Sequence, residues 1–503
     1  MWGSSGAQDH PQRSLDPLLS LFVNTAHHRP TVELLVTAER AYSYGDFLAH
    51  TSGIVTLLRE HGVQAGHRVA LYADAYDSFF IAMLGVWLAG GVAVPINTAL
   101  PAVSSRSLIE RSQPRLLLHD PYIAPPVTDT PAAVITTAAP RTSPPEFTPV
   151  SGGDVAMILF TSGTTGMPKG VCQRLSAITG NARRVAAALK LRTDDRLFIN
   201  TPAYYTSGIC HFLTMMAAGA STVGETGFFF GEALLDRLLA QRCTGFGGAP
   251  AHLIRVVDPL LTPVRTPGLR FWVSSGDHLP MNTLAKTHTH LPDVALFNMY
   301  GLTEVSGRLC VLSPEQSDRR PGSVGRPLPD MRVVARNSTG EALHPGQVGE
   351  LYVQGPLVMT EYLDDAAATA AALGSHGFRT GDYGHVDADG FVWVEGRKDD
   401  VFKRGGEKVS TVQIQQAMGT LDDILDCAVL AIEDPFLGHT PIAFIVPREG
   451  YAPRSGKLLR ALREHLPASS LPSRIIPVIS IPRTGSGKVI RQELLALLEG
   501  PRD

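Results

Sequence analysis

Ten residues, Thr161-Ser162-Gly163-Thr164-Thr165-Gly166-Met167-Pro168-Lys169-Gly170, bring hydroxyls, glycines and one lysine together directly after the apolar run 155–160. Glycines let backbone N–H groups come close to a ligand, and hydroxyls and a lysine at this density suit phosphate oxygens. The pattern is not a Walker loop, which needs glycine and lysine adjacent: Met167 and Pro168 separate Gly166 from Lys169. Pro168 disfavours helical backbone at Met167, so the spacing predicts an extended loop between the strand 155–160 and a later helix.

Such a loop needs a scaffold. Strand-like runs at 68–73, 92–96 and 115–120 alternate with helical stretches such as 45–62, a pattern of α/β layers. Residues 121–153, rich in Pro, Thr and Ala, read as an irregular connection. Near residue 396 the texture changes to a strand, a charged joint and a Gly-Gly turn, after which Ser410 and Gln413 have the spacing of a helix capping box. The division that follows is a large α/β domain of several subdomains over 1–396, joined by a hinge to a small α+β domain over 397–503. A chain of 503 residues supports this, since single cores stop growing at roughly 250–300 residues.

Composition removes several function classes. A net charge of −3 and the lack of long lysine or arginine runs give no field that draws in nucleic acid or anionic membrane. The five cysteines, Cys172, Cys210, Cys243, Cys310 and Cys427, fit neither a disulfide framework nor a zinc site, so a reducing cytoplasm is expected. The uncharged run 79–96 is long enough to be weighed as a membrane span, but Gly90, Gly91 and Pro95 break it into a buried helix and a buried strand. The first residues, MWGSSGAQDHPQR, lack the apolar segment of a secretion signal.

TSGTTGMPKG resembles the phosphate-loop signature of the adenylate-forming superfamily, which includes acyl- and aryl-CoA ligases, luciferases and peptide-synthetase adenylation domains. Four further segments occur in the family's order: NMYGLTE (298–304), FRTGD (378–382), GRKDDVFKRGGEKVS (396–410) and PRTGSGKVIR (482–491). The resemblance implies a stand-alone ligase in which a carboxylate attacks the α-phosphate of ATP, pyrophosphate leaves, and the acyl-adenylate passes its acyl group to an acceptor. It assigns Thr161, Ser162, Gly163, Thr164, Thr165, Gly166 and Lys169 to the outer phosphates, Thr303 to the α-phosphate and Glu304 to Mg²⁺. Asp382 is expected on the ribose hydroxyls, with Arg397 reaching ribose or phosphate. Tyr300 is expected against adenine, beside Ser275, Gly276, Asp277, Asn298 and Gly301. Asp277 and His278 depart from the family's usual small residues in that turn. Lys488 corresponds to the lysine that bridges carboxylate and α-phosphate, Asp399 to the hinge, and Gly405 and Gly406 to the acceptor channel.

The same resemblance places the acid among Tyr204, Tyr205, His211, Phe246, Gly247, Gly301 and Ser306. Relatives that activate amino acids carry an aspartate in the first of these segments, and none is present in 201–212. Aromatic and small residues suit a flat apolar acid, aryl or medium acyl. The expected acceptor is CoA, with a free amine or a separate carrier protein as alternatives; the oligomeric state is left open.

Overall fold

The computed structural model describes residues 15–135, 147, 152–161, 168–225, 231–397, 400–404, 407–448, 450–451, 454–483 and 489–499. In it the apolar run 79–96 divides as its glycines dictate. Helix Tyr76–Leu88 ends at Ala89, Gly90 takes a left-handed φ of 81°, and strand Val92–Pro95 follows. The helix is buried on all sides, as a core helix must be when it is apolar all round, and Trp87 fixes it by donating Nε1–H to the Ala156 carbonyl at 2.8 Å. No described helix is long and apolar enough to cross a membrane.

The large N-terminal α/β domain is built on two extended sheets. The seven-stranded one runs in the order 361–362, 169–174, 155–161, 92–95, 68–72, 116–119, 132–134, parallel from 155–161 onward. The nine-stranded one runs 326–327, 310–312, 295–300, 271–275, 245–248, 196–199, 221–224, 33–36, 41–43, with its six inner strands parallel. Between the sheets a single core joins helices Tyr44–Glu60, Tyr76–Leu88, Leu175–Ala188 and Thr206–Ala217, with Phe80 and Phe212 stacked at 4.0 Å. An antiparallel five-stranded sheet follows, ending in strand Val392–Arg397. A second five-stranded sheet begins at Val401 and, with helices Thr411–Gly419 and Ser455–Leu462, forms the smaller α+β domain over its own core.

Three local expectations are corrected. The connection 121–153 contains a short strand, Ala132–Val134, parallel to Leu116–His119. The phosphate-loop candidate leads into a strand, Lys169–Arg174, which returns antiparallel to Val155–Thr161 before helix Leu175–Ala188 begins. The capping box is half made: the Ser410 hydroxyl accepts from Gln413 N–H at 3.3 Å, while the Gln413 amide turns to Glu395 at 3.5 Å.

Candidate active site

The inner strands of the nine-stranded sheet end on one edge, and the segments that leave them carry most of the expected residues. In open α/β sheets that edge is where ligands bind. Strand Ala295–Tyr300 ends in a tight turn, Thr303–Val305, and Gly301 is obligatory there, since a Cβ would lie 1.9 Å from the Gly307 carbonyl oxygen. Gln173, fully buried on the strand after the phosphate-loop candidate, holds this turn from below. Its amide donates to the Thr303 carbonyl at 2.6 Å and its oxygen accepts from the Ser306 hydroxyl at 2.9 Å. Ser306, at φ 59°, also reaches the Leu357 carbonyl at 3.0 Å. Its hydroxyl is thus engaged in holding the turn.

The Glu304 carboxylate accepts from the Tyr362 hydroxyl at 3.0 Å. The Lys169 ammonium lies 5.0 Å from the centre of the Tyr362 ring, so one tyrosine spans the lysine and the glutamate. Burial, with Glu304 adding to it, pushes the Tyr362 phenol far above its ordinary value, so it stays a donor. Thr161 pairs with Lys169 across the hairpin, and Arg111 anchors the loop's exit by donating to the Pro168 carbonyl at 2.8 Å. Ser162, Gly163, Thr164, Thr165 and Gly166 lie outside the described residues, as do Asp399, Gly405, Gly406 and Lys488.

Asp382 is brought to the same edge by strand Gly377–Val386 and is only 5% exposed. Tyr300 donates its hydroxyl to Asp382 Oδ2 in a short hydrogen bond, and Arg397 Nε lies 3.5 Å from Oδ1. Burial first, then the carboxylate, raise the Tyr300 phenol well above its usual range. Ser275 ends the neighbouring strand and Gly276 and Asp277 follow it, with Asn298 in register beside Ser274. The departure at Asp277 has a structural reason: its carboxylate accepts from Arg483 Nη1 at 2.7 Å, and the same guanidinium holds Asp426 at 3.0 Å. Asp277 thereby ties the large domain to the small one.

The residues expected around the acid are placed as follows. Thr206 touches Thr303, hydroxyl to hydroxyl, at 3.0 Å, so helix Thr206–Ala217 opens against the Thr303–Glu304 turn. Tyr205 accepts from the Asn97 amide at 3.3 Å, and the buried Tyr204 lies 4.9 Å from it, ring to ring. One turn on, His211 packs so closely over Gly247 that a Cβ there would meet its ring at 2.6 Å. Phe246 is a correction. Alternation along strand Gly245–Gly248 sends it to the opposite face, where it packs on Trp272 at 4.4 Å and on Phe198 in a separate core. The sequence reading missed Gln173, Tyr362 and Arg308. Arg308 stands four residues beyond the Glu304 motif, 6% exposed and beside His211, and that proximity was its only available signal.

Comparison with known proteins gives the family. The family model described as AMP-binding enzyme matches residues 22–363, and that of the AMP-binding enzyme C-terminal domain matches 413–488. An indoleacetate–CoA ligase of Aromatoleum aromaticum is 28% identical over 482 residues, 92% of this chain and 94% of its own. A feruloyl-CoA synthase of an Amycolatopsis species is 27% identical over 464 residues, 90% of this chain and 93% of its own. Among solved structures, ATP-bound MatB from Rhodopseudomonas palustris superposes with a TM-score of 0.86 at 26% identity, covering 96% of this chain and all of that one.

Proposed function

Because the chain belongs to the AMP-binding enzyme family, ATP-dependent ligases that form acyl-adenylates from carboxylic acids, we propose that it transfers the activated acyl group to the thiol of CoA. A carboxylate resists nucleophiles because it is anionic and oxide is a hopeless leaving group. Attack of its oxygen on the α-phosphorus of ATP forms a mixed anhydride and expels pyrophosphate. The thiol, losing its proton, then attacks the acyl carbon and AMP departs.

The observation that carries the adenylation step of this reading is the 3.0 Å contact between Thr206 and Thr303. It joins the segment proposed to hold the acid to the turn proposed to hold the nucleotide, as in-line attack requires. In this reading Thr303 donates to the α-phosphate, and Lys169, Thr161 and the loop between them neutralise the outer phosphates. Asp382 accepts from the ribose, Tyr300 and Arg397 orient Asp382, and Lys488 bridges carboxylate and α-phosphate. Ser275, Gly276, Asp277 and Asn298 line the adenine side. Glu304 would suit Mg²⁺, since Mg²⁺ shared with phosphates needs only one or two carboxylates. When bound, the ion would offset phosphate charge.

Tyr204, Tyr205 and the close-packed Gly247 favour a flat acid, aryl or medium acyl. Support for CoA comes from the two curated relatives, which by name are CoA ligases and match over nearly their whole length. The proposed moving unit is 397–503, turning at Asp399 so that Gly405 and Gly406 face the acceptor in the second half-reaction. The test is pyrophosphate release across a carboxylic-acid library with Mg²⁺ and ATP, then product mass after adding CoA, an amine or a carrier protein. CoA thioester and AMP are expected; an amide or an acylated carrier as the sole product would replace the acceptor, and ADP would end the whole reading.

A further inference from the structure

Arg308 is a buried charge for which the proposed mechanism has no use. It follows the Thr303–Val305 turn, 6% exposed, and the two polar partners of its guanidinium among the described residues are both uncharged. Nη1 donates to the Gly307 carbonyl at 3.3 Å and Nη2 to His211 Nε2 at 3.3 Å. Because a guanidinium has only donors, His211 Nε2 must be the bare, accepting nitrogen. Burial holds His211 well below the ordinary imidazole range, and the Arg308 charge pushes it the same way. The pair therefore presents one full positive charge, with no counter-ion among the described residues.

Among the described residues several other buried charges are matched by an opposite charge, whereas the buried carboxylates Asp16 and Asp120 are held by backbone N–H and hydroxyl donors. Asp195 is paired with Arg270, Glu225 with Arg237 and Glu350 with Arg379. A desolvated cation without a partner is costly, so a chain that retains one at a ligand site has a reason to seek an anion there. Arg308 lies at such a site. His211 is on the helix that opens at Thr206, Gly247 closes under its ring, and Cys210 on the same helix reaches the Ser306 carbonyl at 3.3 Å.

We infer that Arg308, oriented by His211, receives a second carboxylate at the far end of the acid, so that the preferred substrate is a dicarboxylic acid. The inference rests on the placement of the acid beside Thr206 and Thr303 proposed above. One carboxylate then lies at the reacting end and the other forms charge-assisted hydrogen bonds with Arg308.

The test is pyrophosphate release from the full chain with Mg²⁺ and ATP but no CoA, so that the identity of the acceptor plays no part. The probes are straight-chain and aromatic dicarboxylic acids, each beside a counterpart whose far carboxylate is replaced by methyl. Wild type is expected to favour at least one diacid in kcat/KM by about 10-fold or more. Arg308→Met should lower that diacid-to-monoacid ratio by about 100-fold, mainly through a raised KM for the diacid, as loss of one partner of a buried charge pair does. Arg308→Lys should keep part of the preference. Thr206→Val should depress both acids alike, which tests the placement of the acid separately. A wild type that favours no diacid overturns the inference whether or not any variant folds. So does a diacid-to-monoacid ratio unmoved by Arg308→Met.

Discussion

Asp382 keeps its carboxylate at 5% exposure because Tyr300 and Arg397 face its two oxygens. Tyr300→Phe deletes that donor. If Asp382 grips the ribose, KM for ATP should rise about 10-fold, the scale of one hydrogen bond to a charged group, with kcat little changed; pyrophosphate release against ATP concentration reads both. An unaltered KM would separate the pair from the nucleotide. His252 carries a prediction of another kind. Burial lowers its imidazole from 6.5 to about 4, and its Nε2 faces the Asn200 amide at 2.9 Å. As pH falls through that window the unfolded chain takes up the proton and the folded chain does not, so stability is lost, by up to roughly 3 kcal/mol. Urea unfolding on either side of the window should show a smaller drop for His252→Gln than for wild type. Glu304 and Asp382 were legible because each sits inside a contiguous motif. Tyr362 and Gln173 were not, since what makes them useful is a partner more than fifty residues away that only sheet pairing brings near. Phe246 was misjudged for the opposite reason: proximity to a motif said nothing about which way its side chain points.

Regular elements were legible wherever one local signal sufficed. The helix expected over 45–62 is Tyr44–Glu60, started by Ser43 and Asp46 in a complete capping box. The strand Lys169–Arg174 was missed because KGVCQR looks polar. It is a strand because 155–161 pairs with one edge and 361–362 with the other, and neither pairing is written in its own residues. The turn 301–307 shows how such an element serves the site. Gly301→Ala would force a methyl onto the Gly307 carbonyl oxygen, now 1.9 Å from the ideal Cβ position, and the turn must shift to relieve it. Since Thr303 and Glu304 ride on that turn, kcat for adenylation should fall about 100-fold, the usual cost of an ångström-scale misplacement of reacting groups. Thermal unfolding should show the fold retained. A variant that keeps full activity would mean that the turn does not position the chemistry.

The whole molecule adds what neither residues nor elements carry, the relation between its two domains. Composition and the motif at 396–410 made a second domain legible, but not where it rests. Arg483 bridges Asp277 of the large domain and Asp426 of the small one, and Arg448 adds a contact to Asp258 at 3.1 Å. Burial alone would lower the Arg483 guanidinium, yet the two carboxylates outweigh it and raise it, so this link is a charged one. Arg483 also begins the segment that contains Lys488, and its backbone pairs with Val489 on the far side. The arrangement with Arg483 on Asp277 therefore belongs, in the proposed scheme, to the half-reaction that uses Lys488. Arg483→Met should slow pyrophosphate release by about 10-fold, the worth of a buried ion pair opened to water on one side, while thioester formation from supplied acyl-adenylate proceeds as before. Asp399→Pro should do the reverse, because proline fixes φ at the proposed pivot and restricts the residue before it. Adenylation would persist and thioester formation would fall. Single-turnover assays of each half-reaction separate the two variants. Equal loss of both halves in both variants would mean that the domains act as one rigid body.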